Sequence, residues 1–319
     1  MKSESVLAPE EKEVDVNIGA VLRPKTWAEF VGQKLVVQQL KTAISAAKDR
    51  EELPEHILFT ATPGTGKTTL GKIVASELGA KPVQILGANL SPQDAYNALL
   101  QTDNTSHVII VDELMKLKVG VATMLNLALE DYELPALSSQ QSTRYYGRGL
   151  SRFLFIGSTT DFGSLPAALR DRFTYIFPLS LYLPSELAEI VRHSAKKLEV
   201  EIQPKVSGII GSVARGTPRI ANRILKRLRD YTSSLDEAGT WKHLEDIGID
   251  RHGLDTWDRR YLGMIKARYG GGPVSLTTIA GSLGETTDTV QNVYEPFLVR
   301  EGYVYITGRG RVLDRAKPF

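Results

Sequence analysis

The most constraining feature of the chain is the segment Ala61-Thr62-Pro63-Gly64-Thr65-Gly66-Lys67-Thr68, which lies between a predicted strand and a predicted helix. Its two glycines allow backbone N–H groups to close around phosphate oxygens at a helix N-terminus. Lys67 is then expected to reach the β- and γ-phosphates of ATP, and the Thr68 hydroxyl to hold Mg²⁺. Ala61 stands where a P-loop usually has glycine, which is tolerable if the backbone keeps a negative φ. The expected nucleotide-binding residues here are Pro63, Gly64, Thr65, Gly66, Lys67, Thr68 and Thr69.

Short apolar runs alternate with amphipathic stretches from Val21 to about Pro178. This alternation predicts an α/β domain with a parallel sheet and helices on both faces. The predicted strands are His56–Ala61, Val83–Leu86, His107–Val111, Phe153–Gly157 and Tyr175–Pro178, and two of the predicted helices are Lys67–Leu78 and Pro92–Leu100.

The strand-like runs stop beyond Ser180, and the pattern becomes helical. Proline or polar residues start three predicted helices, as expected for a small helical lid domain. These helices are Leu183–Leu198, Pro204–Ala214 and Pro218–Tyr231, with a fourth within Leu235–Ile247. Three further helices and a terminal hairpin then predict a winged helix: Leu254–Arg268, Leu276–Leu283, Thr287–Arg300, Tyr303–Thr307 and Arg311–Leu313. We therefore expect an acidic arm at residues 1–17, an ATPase domain at 18–179, a lid at 180–249 and a winged helix at 250–319.

Composition restricts the class of protein rather than its function. The formal net charge is +2 and 42% of the residues are hydrophobic, which is ordinary for a globular protein. The chain has no cysteine, which excludes disulfides and cysteine-ligated zinc. No run approaches the ~18 apolar residues of a membrane span, and the first residues have no signal-peptide core. We expect a soluble, cytoplasmic protein.

Two carboxylates follow the apolar run Ile109-Ile110-Val111, 45 residues after Lys67. Ligands bind at the carboxyl ends of strands in open α/β sheets. Asp112 is expected to hold Mg²⁺ through water, and Glu113 to orient and deprotonate the attacking water. An Asp-Glu pair after a strand is by itself usually a solvated strand end, but its distance from the P-loop makes the catalytic interpretation strong.

Two further segments carry candidate catalytic groups. Ile156-Gly157-Ser158-Thr159-Thr160 ends a strand with hydroxyls, which either sense the γ-phosphate or cap a helix. Leu169-Arg170-Asp171-Arg172-Phe173 places two arginines before the last predicted strand. These form either a surface ion pair with Asp171 or an arginine finger for a neighbouring subunit.

The C-terminal stretch from Gly302 to Phe319 has four basic residues and one acidic residue. Arg309 and Arg311 flank a glycine at its predicted tip, just after Tyr303 and Tyr305. Such a tip either contacts DNA phosphates without reading sequence or is a solvated hairpin.

Several strings together resemble RuvB, the bacterial family of Holliday-junction branch-migration motors within the AAA+ ATPases. The resemblance runs from about Leu22 to Leu313. The strings are Leu22-Arg23-Pro24-Lys25-Thr26, Phe30-Val31-Gly32-Gln33, Asp112-Glu113-Leu114, Gly157-Ser158-Thr159-Thr160, Leu169-Arg170-Asp171-Arg172-Phe173, Gly216-Thr217-Pro218-Arg219-Ile220-Ala221-Asn222-Arg223, Gly271-Gly272-Pro273-Val274 and Tyr294-Glu295-Pro296-Phe297-Leu298.

The resemblance implies roles for individual residues. The adenine would be surrounded by Leu22, Arg23, Pro24, Val31 and Tyr182. Thr160 would be sensor 1, Arg172 the finger acting in the neighbouring subunit with Arg170 the second choice, and Arg219, beside Pro218, the sensor 2 arginine of the lid. Arg309 and Arg311 would contact DNA. The implied assembly is a ring, as a hexamer, that uses ATP and Mg²⁺ to move duplex DNA.

Two alternatives remain open on the sequence. One is an AAA+ loader or remodelling switch that uses ATP for assembly without translocation. The other is a degenerate adaptor suggested by Ala61, against which Glu113 and Arg172 argue.

The chain departs from the family at the hairpin that docks on RuvA, the junction-binding protein. In 135–149, Leu137 is the one sizeable aliphatic residue of the first arm, and Tyr145 and Tyr146 replace aliphatics in the second. Tyrosine and arginine are frequent at interface hot spots. We therefore expect either a divergent RuvA-like partner or direct DNA contact, although simple drift of the hairpin remains an alternative.

Overall fold

The computed structural model describes residues 19, 21–102, 107–134, 148–232 and 234–319. It divides into two compact units. One is Arg23–Leu181, and the other is Tyr182–Phe319 together with the residues up to Leu22. The predicted arm at 1–17 lies outside the described residues.

Five parallel strands form the centre of the first unit: β1 Ile57–Thr60, β2 Val83–Leu86, β3 Val108–Asp112, β4 Leu154–Thr159 and β5 Tyr175–Pro178. Their spatial order is β2-β3-β4-β1-β5. The register pairs Thr60 with Thr159 and Val111 with Gly157. The carboxyl ends of β1, β3 and β4 therefore meet at one edge of the sheet.

Alternate residues of the strands enter two separate cores, one on each face of the sheet. Ile57 and Phe59 pack with Leu40 and Leu70 on one face. Leu58 packs with residues of the helices on the other face. The helices are Lys34–Asp49, Lys67–Glu77, Pro92–Gln101 and Val119–Glu130. The predicted parallel sheet, covered on both faces, is confirmed.

The second unit begins with four helices around their own apolar core. They are Pro184–Lys197, Pro204–Val213, Pro218–Arg229 and Glu237–Asp246. The first three start with proline, whose missing N–H has no partner in a first turn anyway. The helical lid predicted for this region is confirmed.

The rest of the second unit is a winged helix with its own core. Its helices Thr256–Tyr269 and Leu276–Leu283 precede a helical run made of Thr287–Thr289, the π-helical turn Val290–Tyr294 and Glu295–Arg300. The π turn interrupts the continuous helix that the sequence predicts, because Pro296 has no N–H for the carbonyl four residues earlier and its ring crowds that carbonyl. The strands Val304–Thr307 and Gly310–Leu313 form an antiparallel wing.

Within the described ranges, no helix is both long and apolar enough to cross a membrane.

Candidate ATP-binding and catalytic site

The P-loop leaves β1 and opens the helix Lys67–Glu77. Gly64 has φ 83° and Gly66 has φ 108°, backbone angles that favour glycine. Ala61 is not among the residues with positive φ, so its methyl group is accommodated. Lys67 Nζ donates to the carbonyl oxygens of Ala61 at 2.7 Å and Thr62 at 3.0 Å. Its ammonium group therefore lies within the loop whose backbone can cradle phosphates.

The carboxylate of Asp112 accepts hydrogen bonds from three different elements. Thr68 Oγ1 donates to Oδ1 at 3.0 Å and to Oδ2 at 3.1 Å, which joins the P-loop helix to β3. Ser158 Oγ on β4 donates to Oδ1 at 2.8 Å, and Gln84 Nε2 on β2 reaches Oδ2 at 3.4 Å. The sequence analysis counted Ser158 among the strand-ending hydroxyls but did not predict its contact with Asp112, and it gave no role to Gln84. The signal for them is the sheet register, since both strands flank β3.

Thr68 and Asp112 suit the Mg²⁺ expected here. Magnesium takes one or two protein oxygen ligands and completes its shell with water and substrate phosphates. Among the described residues, no group of three or more His, Asp or Glu side chains is placed to hold a metal ion. A Mg²⁺ ion at Asp112 would take its remaining ligands from water and phosphate oxygens.

Glu113 turns the chain sharply at the end of β3. Its backbone is left-handed, with φ 59° and ψ 49°, and a single 3-10 turn, Leu114–Lys116, follows. Its side chain is 39% exposed, so water reaches it, and Oε2 lies 2.9 Å from Lys116 Nζ. This ion pair was not expected from the sequence.

The hydroxyl of Thr160 lies at the same edge of the sheet. Thr160 Oγ1 donates to Met115 Sδ at 3.1 Å, and Thr159 Oγ1 donates to the same sulfur at 3.4 Å. The helix-capping alternative does not apply to Thr160, because the next helix, Ala167–Arg170, has Pro166 at its N-cap.

Arg172 forms an ion pair with Glu130, the last residue of the helix Val119–Glu130, rather than with Asp171. Its side chain is 26% exposed, and its Nε is buried without a hydrogen-bond partner among the described residues. Arg170 instead lies over the Phe162 ring, 5.2 Å from its centroid.

The position of Arg172 in the sheet follows from its neighbours. Leu129, the residue before Glu130, has its carbonyl oxygen 3.3 Å from His56 Nε2, and His56 immediately precedes β1. The P-loop follows the other end of β1, about 16 Å away at ~3.3 Å per residue. Arg172 therefore lies at the amino edge of the sheet, opposite its own P-loop.

His56 is buried among aromatic rings at that amino edge. Its Nδ1 accepts from the Phe155 N–H at 3.2 Å. Burial lowers the pKa of His56 to about 4, against a smaller opposite effect of its hydrogen bond with Leu129. The ring is therefore neutral near pH 7 and serves as a structural link.

The segment containing Arg23, Pro24 and Val31 belongs to the first unit. Its Phe30 packs on the same core as Ala61. Burial and, next, the charge of Arg23 lower the pKa of Lys72 on the P-loop helix, which places Arg23 near that helix.

The other predicted nucleotide contacts lie in the second unit: Leu22, Tyr182, Pro218 and Arg219. Tyr182 packs in the core of the lid, and its N–H donates to the Gly216 carbonyl at 2.9 Å. Pro218 and Arg219 open the helix Pro218–Arg229. Their roles at the nucleotide stay predictions.

The two arginines of the wing that are predicted to bind DNA differ in exposure. Arg309 is exposed at the tip, where its N–H donates to Thr307 Oγ1. Arg311 is only 13% exposed and binds the carboxylate of Glu295 with both Nε, at 2.7 Å, and a terminal nitrogen, at 2.9 Å. Tyr261 donates to the same carboxylate at 3.0 Å. Arg311 therefore has a structural role within the winged helix, and its contact with DNA stays a prediction.

The predicted partner hairpin lies almost wholly outside the described residues, including Leu137, Tyr145 and Tyr146. Its base is present, because Glu133–Leu134 pairs antiparallel with Arg148–Gly149.

Family comparisons agree along the chain. Residues 22–179 match the family model of the Holliday junction DNA helicase RuvB P-loop domain, residues 182–255 the RuvB AAA lid domain, and residues 251–316 the RuvB C-terminal winged helix domain. The Holliday junction branch migration complex subunit RuvB of Chloroflexus aggregans is 40% identical over 321 residues, covering 99% of this chain and 92% of that protein. The subunit of the same name from Clostridium kluyveri is 40% identical over 297 residues, covering 91% and 85%.

Solved structures give the same result. The Thermotoga maritima RuvB Holliday junction branch migration motor is 37% identical with a TM-score of 0.79, covering 92% of this chain and 96% of that one.

The fold, the P-loop and the carboxylates that end β3 define a P-loop ATPase of the AAA+ class. Within that class, the chain belongs to the RuvB family.

Proposed function

We propose that this protein is an ATP-driven ring motor that drives branch migration of Holliday junctions by moving duplex DNA. The observation that carries the proposal is the separation of the catalytic groups within the first unit. Lys67, Thr68, Asp112 and Glu113 gather at the carboxyl edge of the sheet, whereas Arg172 lies at the amino edge. A complete site then requires the arginine of another subunit.

Hydrolysis at this site is an in-line attack of water on the γ-phosphate. Glu113 accepts a proton from the water as the new O–P bond forms and the bond to the β,γ-bridging oxygen breaks. Lys67 holds the β- and γ-phosphates, and Thr160 orients the γ-phosphate. Thr68 and Asp112 would hold a Mg²⁺ ion, which would neutralise part of the phosphate charge. Ser158 and Gln84 keep the Asp112 carboxylate oriented.

Arg172 completes the site of the neighbouring subunit. An arginine finger of this kind accelerates hydrolysis by about 10³–10⁵. Its pairing with Glu130 presents the guanidinium from the surface of the first unit. Head-to-tail contacts of this kind form a ring when their rotation closes, and we expect a closed hexamer in which every subunit both gives and receives a finger.

The lid couples the binding and hydrolysis of ATP to movement of the subunit within the ring. Arg219 is assigned to the phosphates of ATP, and Leu22, Arg23, Pro24, Val31 and Tyr182 to the adenine. Tyr182 and Arg219 belong to a unit that also contains the winged helix, so a lid movement carries the wing with it.

DNA contact is assigned to Arg309 at the exposed tip of the wing. Phosphate contacts of this type position the protein without reading sequence. Tyr305 and Ile306, both exposed beside the tip, add apolar surface for the sugar edges of a groove.

The hairpin of residues 135–149 is proposed to dock a RuvA-like protein, with Leu137, Tyr145 and Tyr146 as the contacts. We expect the hairpin to bind a divergent RuvA-like protein, or DNA directly, rather than a standard RuvA, and a pull-down with an ordinary RuvA tests this. We place the motor's work in the cytoplasm, where bacterial DNA lies.

Branch migration of a labelled four-way junction tests the proposal. Products should appear with ATP and a RuvA-like protein, and neither with a non-hydrolysable analogue nor with Glu113→Gln. DNA-stimulated ATPase activity without any strand products would instead identify a loader that does not translocate.

A further inference from the structure

The turn after the catalytic carboxylates touches both groups assigned to the γ-phosphate and its attacking water. Lys116 Nζ lies 2.9 Å from Glu113 Oε2. Met115 Sδ, one residue earlier, accepts the hydroxyl of Thr160 at 3.1 Å. The base and the phosphate sensor are therefore each engaged by adjacent residues of one 3-10 turn.

The backbone of this turn is held in place by close packing on both sides. A Cβ at Gly87 would lie 2.7 Å from the Glu113 carbonyl oxygen, and a Cβ at Gly157 would lie 2.4 Å from Leu114 Cδ1. Leu114 itself is buried. Because the backbone of the turn is closely packed, we expect the two contacts to open by side-chain rotation rather than by a shift of the turn.

We propose that Lys116 and Met115 are positioning residues that restrain Glu113 and Thr160 between turnovers, so that both contacts must open before hydrolysis. This inference rests on the ATPase function proposed above. The ion pair with Lys116 occupies one carboxylate oxygen of Glu113 and fixes the orientation of the group, so its opening frees Glu113 to turn towards the attacking water. The restraint limits the basal rate of hydrolysis.

The chemistry of the two contacts makes the restraint reversible. A thioether is a weak hydrogen-bond acceptor, so a γ-phosphate oxygen displaces Met115 from the Thr160 hydroxyl. The Lys116 side chain is 51% exposed and that of Glu113 is 39% exposed. Ion pairs with this exposure are weak and sensitive to salt.

Steady-state ATP hydrolysis without DNA tests the proposal. Lys116→Gln should raise kcat about 2- to 5-fold at low salt, the range expected for losing an exposed ion pair, with KM changed less than about twofold. Lys116→Arg restores the pair and should behave as wild type, and so should the neighbouring exposed Lys118→Gln. The Lys116→Gln advantage should disappear near ~0.5 M salt, where screening opens the wild-type pair.

Met115→Leu keeps the volume but removes the sulfur acceptor, and should also raise kcat, by about twofold, on the scale of a weak hydrogen bond. A structural role for Met115 would instead change KM or the melting temperature.

Three results would overturn the inference: no rise in kcat for Lys116→Gln, a rise that persists at high salt, or a Glu113→Gln/Lys116→Gln double variant as fast as Lys116→Gln. The last would show that the acceleration does not pass through Glu113. A wild-type protein without ATPase activity would refute the proposed function instead, which separates the two failures.

Discussion

The carboxyl edge of the sheet and the winged helix both contain a carboxylate with several donors, but the two sites are built differently. Asp112 is bound by the hydroxyl and amide groups of Thr68, Ser158 and Gln84, and none of these three neutralises its charge. Glu295 is 3% exposed and forms a two-bond ion pair with Arg311. The negative charge at the catalytic edge is thus available to a bound ligand, whereas the charge of Glu295 is neutralised within the winged helix.

Removing Arg311, the cation that pairs with Glu295, should have the largest effect on stability. Arg311→Ala leaves the buried carboxylate of Glu295 without its partner, and we expect a loss of about 3–5 kcal/mol in the free energy of unfolding of the winged helix. Chemical denaturation, monitored by the fluorescence of the winged helix, measures this loss of stability. The control is Arg309→Ala, an exposed arginine whose removal should change the free energy of unfolding by less than about 0.5 kcal/mol. Equal stability of the two variants would mean that the ion pair is not structural.

His56, at the amino edge of the sheet, is a buried group that is neutral in the folded protein. Because the pKa of His56 is lowered to about 4 in the folded protein, the unfolded chain binds its proton first as the pH falls. Stability is therefore fully present above pH ~6.5 and lost as the pH falls towards 4, by about 3 kcal/mol.

Denaturation at pH 7 and pH 4.5 measures this loss, and His56→Gln should reduce the pH dependence. A profile unchanged by His56→Gln would assign the acid sensitivity to other groups.

Glu113→Gln tests the catalytic edge directly. The amide is nearly the same size but cannot accept the proton, so kcat should fall at least ~10²-fold while ATP binding stays near normal. Single-turnover hydrolysis and equilibrium binding of a fluorescent ATP analogue separate the two effects. More than half of the wild-type turnover would remove Glu113 from this role.

The smallest effect is expected for the exposed charge at the tip of the wing. Arg309→Ala should weaken DNA binding similarly for different sequences and reduce the slope of log K against log salt by about 1, the loss of one phosphate contact. Fluorescence anisotropy with two unrelated duplexes measures it. An unchanged slope would make the tip a structural hairpin only.

The sequence predicts the main helices and strands well where the hydrophobic periodicity agrees with residues that start or end an element. The bounds of β2 and β5 are as predicted, and prolines mark the starts of the lid helices. The P-loop and the Asp112–Glu113 pair follow from local strings, because phosphate binding needs glycines and a lysine at fixed spacing.

Partners that are distant in sequence could not be predicted in this way. Arg311 carries the same local signal as Arg309, yet Glu295, which decides its role, lies on a helix 16 residues earlier. Arg172 likewise sits beside Asp171 in sequence but pairs with Glu130. Lys116 and Glu113 are close in sequence, but Glu113 has a left-handed backbone. The identity of the residue does not predict that conformation, so the pairing could not be foreseen.

The central claim is that one subunit's Arg172 completes the ATP site of the next, and mixing two inactive variants tests it most directly. Arg172→Ala retains an intact P-loop without a finger, and Lys67→Ala retains a finger without a working P-loop. We predict that each is inactive alone and that mixed assemblies, confirmed by co-purification of differently tagged subunits, recover part of the ATPase activity. Confirmed mixed assemblies with no recovered hydrolysis would contradict the account.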